Sequence, residues 1–136
     1  MTVHLGLDYG TRRTGIALSD PTATLARAHG FHLEPDDGSI FKMLRTIIAD
    51  HDVEVIVMGL PLTADGREAD MAQKVRRFES RLAQELQLPT HLVDERFSSQ
   101  EADRWLGKKQ RTKGERDAVA AELILQQYLD SVSRKS

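Results

Sequence analysis

The apolar residues of this chain follow two different spacings, and the change from one spacing to the other marks the predicted elements. Apolar and polar residues alternate over residues 3–8, which is the two-residue period of a β-strand. A second apolar run predicts a strand over residues 13–19, and the Gly-Thr-Arg turn between the two runs predicts a β-hairpin. Weaker alternation, interrupted by Gly30, predicts a third strand over residues 24–33.

Three further segments carry apolar residues at the three- and four-residue spacing of an amphipathic helix. They predict helices over residues 37–50, 71–86 and 115–131. A fourth, short helix is predicted to open at Ser98, where Glu101 completes a capping box. The residues predicted to face inward from the last helix are Val119, Leu123, Ile124, Tyr128 and Val132.

Two short apolar runs, over residues 53–58 and 90–94, are typical of strands in the parallel part of a sheet. Each follows a predicted helix, so both are expected to enter the sheet through β-α-β crossovers. The elements together predict an α/β fold with a five-stranded mixed sheet and helices on both faces. The sheet combines an antiparallel three-strand meander with two crossover strands. The length predicts a single domain over residues 1–136.

Composition excludes several kinds of site. The chain has no cysteine, which excludes disulfides, thiolate zinc sites and cysteine nucleophiles. No apolar run approaches the roughly 20 residues that cross a bilayer, and the first residues lack a signal-peptide pattern, so we expect a cytoplasmic protein without a membrane partner. The formal net charge is −2, so a contact with nucleic acid requires a local basic cluster. One such cluster consists of Lys108, Lys109, Arg111, Lys113 and Arg116.

Acidic residues stand where predicted elements end or begin. Asp8 ends the first strand, Glu95 ends the last strand, and Asp117 lies in the first turns of the last helix. Sites in α/β sheets gather at strand ends near a topological switch point, so we expect the three carboxylates to converge. Oxygen ligands suit Mg²⁺ or Mn²⁺, and two such ions could activate a water against a phosphodiester. Each acid also has a simpler interpretation, such as Asp117 complementing a helix dipole or Glu95 pairing with Arg96.

Candidate phosphate-binding residues lie beside these acids. The turn after Asp8 offers backbone N–H groups and two guanidinium groups, which can meet phosphate oxygens. Lys113 precedes Asp117 by four residues and could reach a substrate phosphate, although a solvated lysine fits equally well. The residues predicted to bind the substrate are Thr11, Arg12, Arg13, Arg96 and Lys113.

Four motifs, in order along nearly the whole chain, resemble the YqgF family, which is described as pre-16S rRNA nucleases related to Holliday-junction resolvases. The motifs are Gly6-Leu7-Asp8-Tyr9-Gly10-Thr11 with Gly15-Ile16-Ala17, Gly59-Leu60-Pro61 with Asp65-Gly66, Asp94-Glu95-Arg96-Phe97-Ser98, and residues 113–117 with Ala120-Ala121 and residues 124–129. Two positions depart from the family pattern, because Thr14 and Arg116 stand where aliphatic residues are usual.

The resemblance implies a ribonuclease H-like fold in a cytoplasmic bacterial protein that hydrolyses phosphodiester bonds with a divalent metal, Mg²⁺ or Mn²⁺. It implies a role in maturing the 5′ end of 16S rRNA, with RNA and ribosomal precursor particles as partners. The family's catalytic and metal-binding acids map onto Asp8, Glu95 and Asp117. Asp94, which precedes the mapped glutamate, is expected to be an auxiliary acid.

Three other functions fit parts of the sequence. A resolvase of four-way DNA junctions would use the same acids as a symmetric dimer; no dimer face is evident, and the oligomeric state stays open. The segment Asp8-Tyr9-Gly10-Thr11 also matches the phosphate signature of ATP-binding sugar-kinase and actin-like proteins, which need two such lobes. A non-catalytic RNA-binding assembly factor would keep the fold without the reaction, and the intact set of acids argues against it.

Overall fold

The structure, a computed structural model, describes residues 2–33, 38–63, 65–68, 70–95 and 112–135. Within these residues, strands and helices follow the order β-β-β-α-β-α-β-α. The strands are β1 (Val3–Asp8), β2 (Arg13–Ser19), β3 (Ala26–Leu33), β4 (Val53–Pro61) and β5 (Thr90–Glu95). The helices are α1 (Ser39–His51), α2 (Asp70–Leu86) and α3 (Lys113–Lys135).

The strands form one five-stranded mixed sheet in the order β3-β2-β1-β4-β5. β1, β2 and β3 pair antiparallel as a meander, whereas β4 pairs parallel with both β1 and β5. β1 is therefore the central strand, and the carboxyl ends of β1, β4 and β5 lie at one edge of the sheet. β2 and α3 begin at that same edge. The predicted meander with two crossover strands is confirmed.

A hydrophobic cluster covers each face of the sheet, as predicted. On one face, large aliphatic and aromatic side chains from the strands pack against α1 and α2. The members of this cluster include Leu5, Leu7, Ile16, Met58, Leu44 and Phe78. The cluster on the other face is smaller and lies under α3. Its buried members are Ala17, Val57, Ala121, Ile124, Leu125 and Leu129.

Two elements are longer than the sequence predicts. β4 continues beyond the apolar run, because its pairing with β5 extends to the Pro61–Glu95 pair. α3 begins at Lys113, where Thr112 and Glu115 form a reciprocal capping box that satisfies two backbone N–H groups. Lys113 is therefore helical rather than part of a loop, and the prediction of a loop there is wrong. The predicted short helix from residue 98 and the basic residues 108–111 lie outside the described residues.

The inward side of α3 differs from the prediction. Val119 and Ile124 are buried, but Leu123 is only partly buried and Val132 is 50% exposed. Val132 instead lines a surface cavity of about 310 Å³ beyond the end of the sheet. The side of α3 that meets the sheet combines alanines with larger aliphatic residues, and the sheet presents glycine and alanine to it beside valines such as Val57. In the described part of the chain, no helix has the length and apolar character needed to span a bilayer.

Candidate active site

Asp8 lies at the carboxyl end of the central strand, on the face that α3 covers. Side chains alternate between faces along a strand, and two positions earlier Gly6 contacts Leu125 of α3. Asp8 therefore points to the same face as Gly6. Its neighbour on β2 is Gly15, with which it is in register. The position combines a central location in the sheet with an open edge beyond the strand end.

Asp117 reaches this face because Gly15 lets the α3 backbone approach the sheet. A Cβ atom on Gly15 would lie 1.8 Å from the backbone oxygen of Asp117, so any side chain there would collide with the helix main chain. Helix and sheet are thus in backbone contact at this point. The contact places the second turn of α3 next to Asp8, which is the register partner of Gly15.

Glu95 approaches from the other side of Asp8, across β4. It is the last residue of β5, and its side chain leans over Gly59, where a Cβ atom would lie 2.5 Å from Glu95 Oε2. The same Cβ atom would lie 2.7 Å from Ile124 of α3. Gly59 therefore provides the space in which the Glu95 carboxylate lies between β4 and α3. Asp8 has a glycine on each neighbouring strand. The backbone of Asp117 packs against Gly15, and the Glu95 carboxylate lies over Gly59.

The other two carboxylates act electrostatically on Asp8. Burial, together with repulsion from Glu95 and Asp117, raises the pKa of the Asp8 carboxyl well above its usual range. Burial raises the pKa of Glu95 to about 7. Negative charge is thus concentrated in a partly dehydrated space, where a cation would relieve the repulsion. The structure places positions 8, 95 and 117 near one edge of the sheet, and their roles as catalytic and metal-binding residues stay a prediction.

Arg13, at the start of β2, forms an ion pair inside the site. Its Nε donates a hydrogen bond to Asp117 Oδ2 at 2.6 Å, and each side chain is 27% exposed. One of the three carboxylates is thereby partly neutralised by the protein itself. Among the described residues, no three His, Asp or Glu side chains are close enough to hold one metal ion together. With Asp117 bound to Arg13, the acids are clustered but do not form a finished coordination shell.

The other predicted site residues have different positions. Thr11 and Arg12 are exposed in the turn between β1 and β2, which is tight because a Cβ atom on Gly10 would lie 2.4 Å from Arg13 O. Lys113 is exposed at the first position of α3, four residues before Asp117.

Two further predicted residues are not brought into the cluster by the described structure. Asp94 alternates with Glu95 along β5 and is exposed on the opposite face, where Leu92 packs against the cluster under α1 and α2. Its role as an auxiliary acid stays a prediction. Arg96 lies outside the described residues.

The glycines that shape this site were not singled out as functional by the sequence reasoning. Gly15 and Gly59 each stand within or beside an apolar run of a strand, where glycine weakens the strand and signals close approach of another group. That signal was present in the sequence. The identity of the approaching group, a helix backbone in one case and a carboxylate in the other, was not.

Known proteins resemble this chain along most of its length. A family model described as "RuvX: Holliday junction resolvase" matches residues 2–131. A Koribacter versatilis (strain Ellin345) protein named "Putative pre-16S rRNA nuclease" is 38% identical over 130 residues, covering 93% of this chain and 85% of that protein. A protein of the same name from Trichormus variabilis (strain ATCC 29413 / PCC 7937) is 39% identical over 130 residues, covering 93% and 86%.

Solved structures of RuvC share the architecture. The Thermus thermophilus RuvC structure matches with a TM-score of 0.62 and 14% identity, covering 98% of this chain and 97% of that one. T. thermophilus RuvC in complex with Holliday junction substrate matches with a TM-score of 0.61 and 17% identity, covering 97% and 96%. At these identities the likeness concerns the fold alone. It confirms the ribonuclease H-like fold that the sequence resemblance implied.

Proposed function

The chain belongs to the RuvX family, whose model matches residues 2–131, and from this premise we propose that it is a divalent-metal-dependent nuclease. The reaction is hydrolysis of a phosphodiester bond, with water as the nucleophile. The observation that carries the proposal is the convergence of Asp8, Glu95 and Asp117 on one face of the sheet, where burial and mutual repulsion raise the pKa of Asp8.

The donor set fits a hard divalent cation. Asp8, Glu95 and Asp117 offer carboxylate oxygens, the ligands that Mg²⁺ and Mn²⁺ prefer. Asp117 would exchange its ion pair with Arg13 for the cation. When bound, such an ion polarises the phosphate and lowers the pKa of a coordinated water. A cation would also offset the repulsion among the carboxylates, so binding should stabilise the folded protein.

The basic residues around the cluster complete the proposed substrate site. Thr11 and Arg12 are exposed in the turn that follows Asp8, and Lys113 is exposed where α3 begins. Arg13, once released from Asp117, would present its guanidinium to a phosphate oxygen in the bidentate geometry that arginine favours. Arg96 is proposed as a further phosphate contact from its sequence position next to Glu95.

The proposed substrate is the 5′ end of pre-16S rRNA within ribosomal precursor particles in the cytoplasm. The names of the curated relatives, at 38% and 39% identity, support an rRNA precursor as substrate. A second candidate substrate is a four-way DNA junction, which the description of the matching family favours. The two candidates share the acids and differ in the nucleic acid that is cut.

A cleavage panel tests the proposal. Wild-type protein and Asp8→Asn are incubated with single-stranded RNA, duplex RNA, single-stranded DNA and a four-way junction, with Mg²⁺ or Mn²⁺ titrated from zero. We expect metal-dependent cleavage of RNA by the wild type. We expect a loss of at least about a thousandfold in Asp8→Asn, because both metal binding and charge balance depend on this carboxylate.

Asp50→Asn is the matched control, since Asp50 is exposed on α1, on the opposite side of the sheet. It removes the same charge and should cleave at the wild-type rate. Metal-dependent turnover that survives in Asp8→Asn would exclude the proposed site. Preferential cutting of the junction would assign the resolvase function, and sedimentation would then be expected to show a dimer. Binding without cleavage in every arm would instead support a non-catalytic RNA-binding factor.

A further inference from the structure

Two apolar side chains are exposed on β3 beside the acid cluster. Phe31 is 41% exposed and Leu33 is 64% exposed. We propose that Phe31 forms a stacking subsite for an unpaired base of a nucleic-acid substrate, next to the position of the cleaved phosphate. This inference rests on the proposed nuclease function and deepens it, because it names a contact that reads the base rather than the phosphate.

The register of the sheet brings Phe31 to the site. Asp8 pairs with Gly15, and Gly15 pairs with Phe31, so the three residues form one row across β1, β2 and β3. Paired residues of antiparallel strands lie about 5 Å apart, so the Cα atoms of Asp8 and Phe31 are roughly 10 Å apart. One strand of a duplex advances about 3.4 Å per nucleotide along the helix axis, so this span corresponds to at most a few nucleotides. A base close to the cleaved bond can therefore reach the ring.

The ring is held by the first turn of α3. A Cβ atom on Gly114 would lie 2.3 Å from Phe31 Cε1, so the ring rests directly on the helix backbone. Only glycine at position 114 permits this contact. An exposed aromatic ring that is already supported by backbone loses little conformational freedom when a base stacks on it. The contact also shows that Phe31 lies on the same face of the sheet as α3 and the acids.

Two cationic side chains near Phe31 suit a nucleic-acid strand. Lys113, adjacent to Gly114, is exposed, and Leu33 is in register with Arg13, which contacts Asp117. Cationic side chains that track the backbone, combined with an aromatic ring for the bases, are the usual means of binding single strands. Leu25, which is 62% exposed before β3 begins, lies away from this edge of the sheet and serves as the comparison.

The test uses Asp8→Asn protein, which is expected to bind substrate without cutting it. Binding of fluorescently labelled single-stranded RNA and DNA is measured by anisotropy for this protein alone and with Phe31→Leu, Phe31→Tyr or Leu25→Ser added. We expect Phe31→Leu to weaken binding about tenfold, because one base-stacking contact is lost. Phe31→Tyr, which keeps the ring, and Leu25→Ser, which removes an exposed apolar group elsewhere, should stay within twofold.

A second measurement needs no change at Phe31. Abasic sites are placed one at a time along the oligonucleotide, and one position should weaken binding to Asp8→Asn by about the same factor as Phe31→Leu does. In Phe31→Leu protein that abasic site should have no further effect. Equal binding by Phe31→Leu and its parent overturns the stacking subsite. Self-association that Phe31→Ser abolishes also overturns it, in favour of an interface between two copies. Failure of the Asp8→Asn parent to bind any oligonucleotide counts against the proposed function itself.

Discussion

The two faces of the sheet are built on opposite principles. On the face under α1 and α2, the central strands present large side chains such as Leu5, Leu7 and Met58, all fully buried. On the face under α3, the same strands present small or acidic residues, including Gly6 and Asp8. Neighbouring positions of a single strand thus serve two different purposes, because successive side chains point to opposite faces.

The difference shows how a small protein separates stability from chemistry. Large side chains keep α1 and α2 at a distance from the sheet and bury much apolar area, which is the main favourable term in folding. Glycines bring α3 into backbone contact with the sheet, with less apolar area but a fixed position for Asp117. Backbone contacts cannot be relieved by a change of rotamer. The face under α3 therefore fixes the position of Asp117, whereas the other face contributes most of the stability.

The largest effect is expected from Gly15→Ala. The added Cβ atom would lie 1.8 Å from the backbone oxygen of Asp117, so α3 must move or the protein must unfold. We expect the free energy of unfolding to fall by about 4 kcal/mol, measured by urea denaturation. Gly30→Ala on β3 is the control, because nothing lies within 4 Å of its added Cβ atom. A Gly15→Ala protein as stable as Gly30→Ala would contradict the close contact.

Gly59→Ala extends this test to a variant that should fold. Its added Cβ atom meets the Glu95 carboxylate and the end of the Ile124 side chain, both of which can move. We expect a modest loss of stability and a large loss of cleavage, because Glu95 is displaced from Asp8. Wild-type cleavage by a folded Gly59→Ala protein would show that the position of Glu95 is not needed.

The next largest effect should come from the opposite face. Leu44 of α1 is fully buried, and Leu44→Ala should lower the free energy of unfolding by about 3 kcal/mol through lost burial and a cavity. Turnover per folded molecule should stay within twofold of the wild type, since no contact of α3 changes. Urea denaturation and cleavage assays at a temperature where both proteins are folded give the two quantities. A loss of turnover in the folded variant would show that the faces are energetically coupled.

Hydrophobic spacing predicts the face under α1 and α2 well, because large apolar residues at regular intervals define it. The bounds of β1 and β2 follow from that spacing, as do the mixed sheet and, to within about two residues, the bounds of α1 and α2. The inward side of α3 was mispredicted at Val132 for a related reason. Val132 lies in the last turns of α3, beyond the end of the sheet, and apolar periodicity does not show where the sheet stops.

The site could be predicted only in part. Strand ends and the family resemblance indicated Asp8, Glu95 and Asp117, since residues at one sheet edge can be deduced from topology. The ion pair of Arg13 with Asp117 joins residues 104 positions apart and depends on how closely α3 approaches β2. The contact of Phe31 with Gly114 likewise depends on how α3 packs, and the predicted start of α3 lay after Gly114. Local patterns carry no information about such distances.

The last effect concerns Glu95 and pH. The pKa of this carboxyl is about 7 in the folded protein, against an ordinary value of 4.5. Between these values the folded state retains a proton that the unfolded state has lost, so stability falls as pH rises from about 4.5 to about 7. Below pH 4.5 Glu95 is protonated in both states and does not change the free energy of unfolding. Above about pH 7 the full cost of ionising it in the folded protein is present. One pKa unit corresponds to about 1.4 kcal/mol, so Glu95→Gln should match the wild type at pH 4 and exceed it at pH 8 by up to about 3 kcal/mol.

Adding Mg²⁺ to the same measurement tests whether the acids on the face under α3 bind a divalent cation. If the penalty at pH 8 exists because the carboxylates await a cation, saturating Mg²⁺ should raise the melting temperature of the wild type more than that of Glu95→Gln. Chelation with EDTA should restore the original order, with the variant more stable. If Mg²⁺ leaves the melting temperature of the wild type unchanged at pH 8, no bound cation offsets the cost of burying Glu95. The face under α3 would then not be a metal-binding face, and the contrast with the stabilising face would not hold.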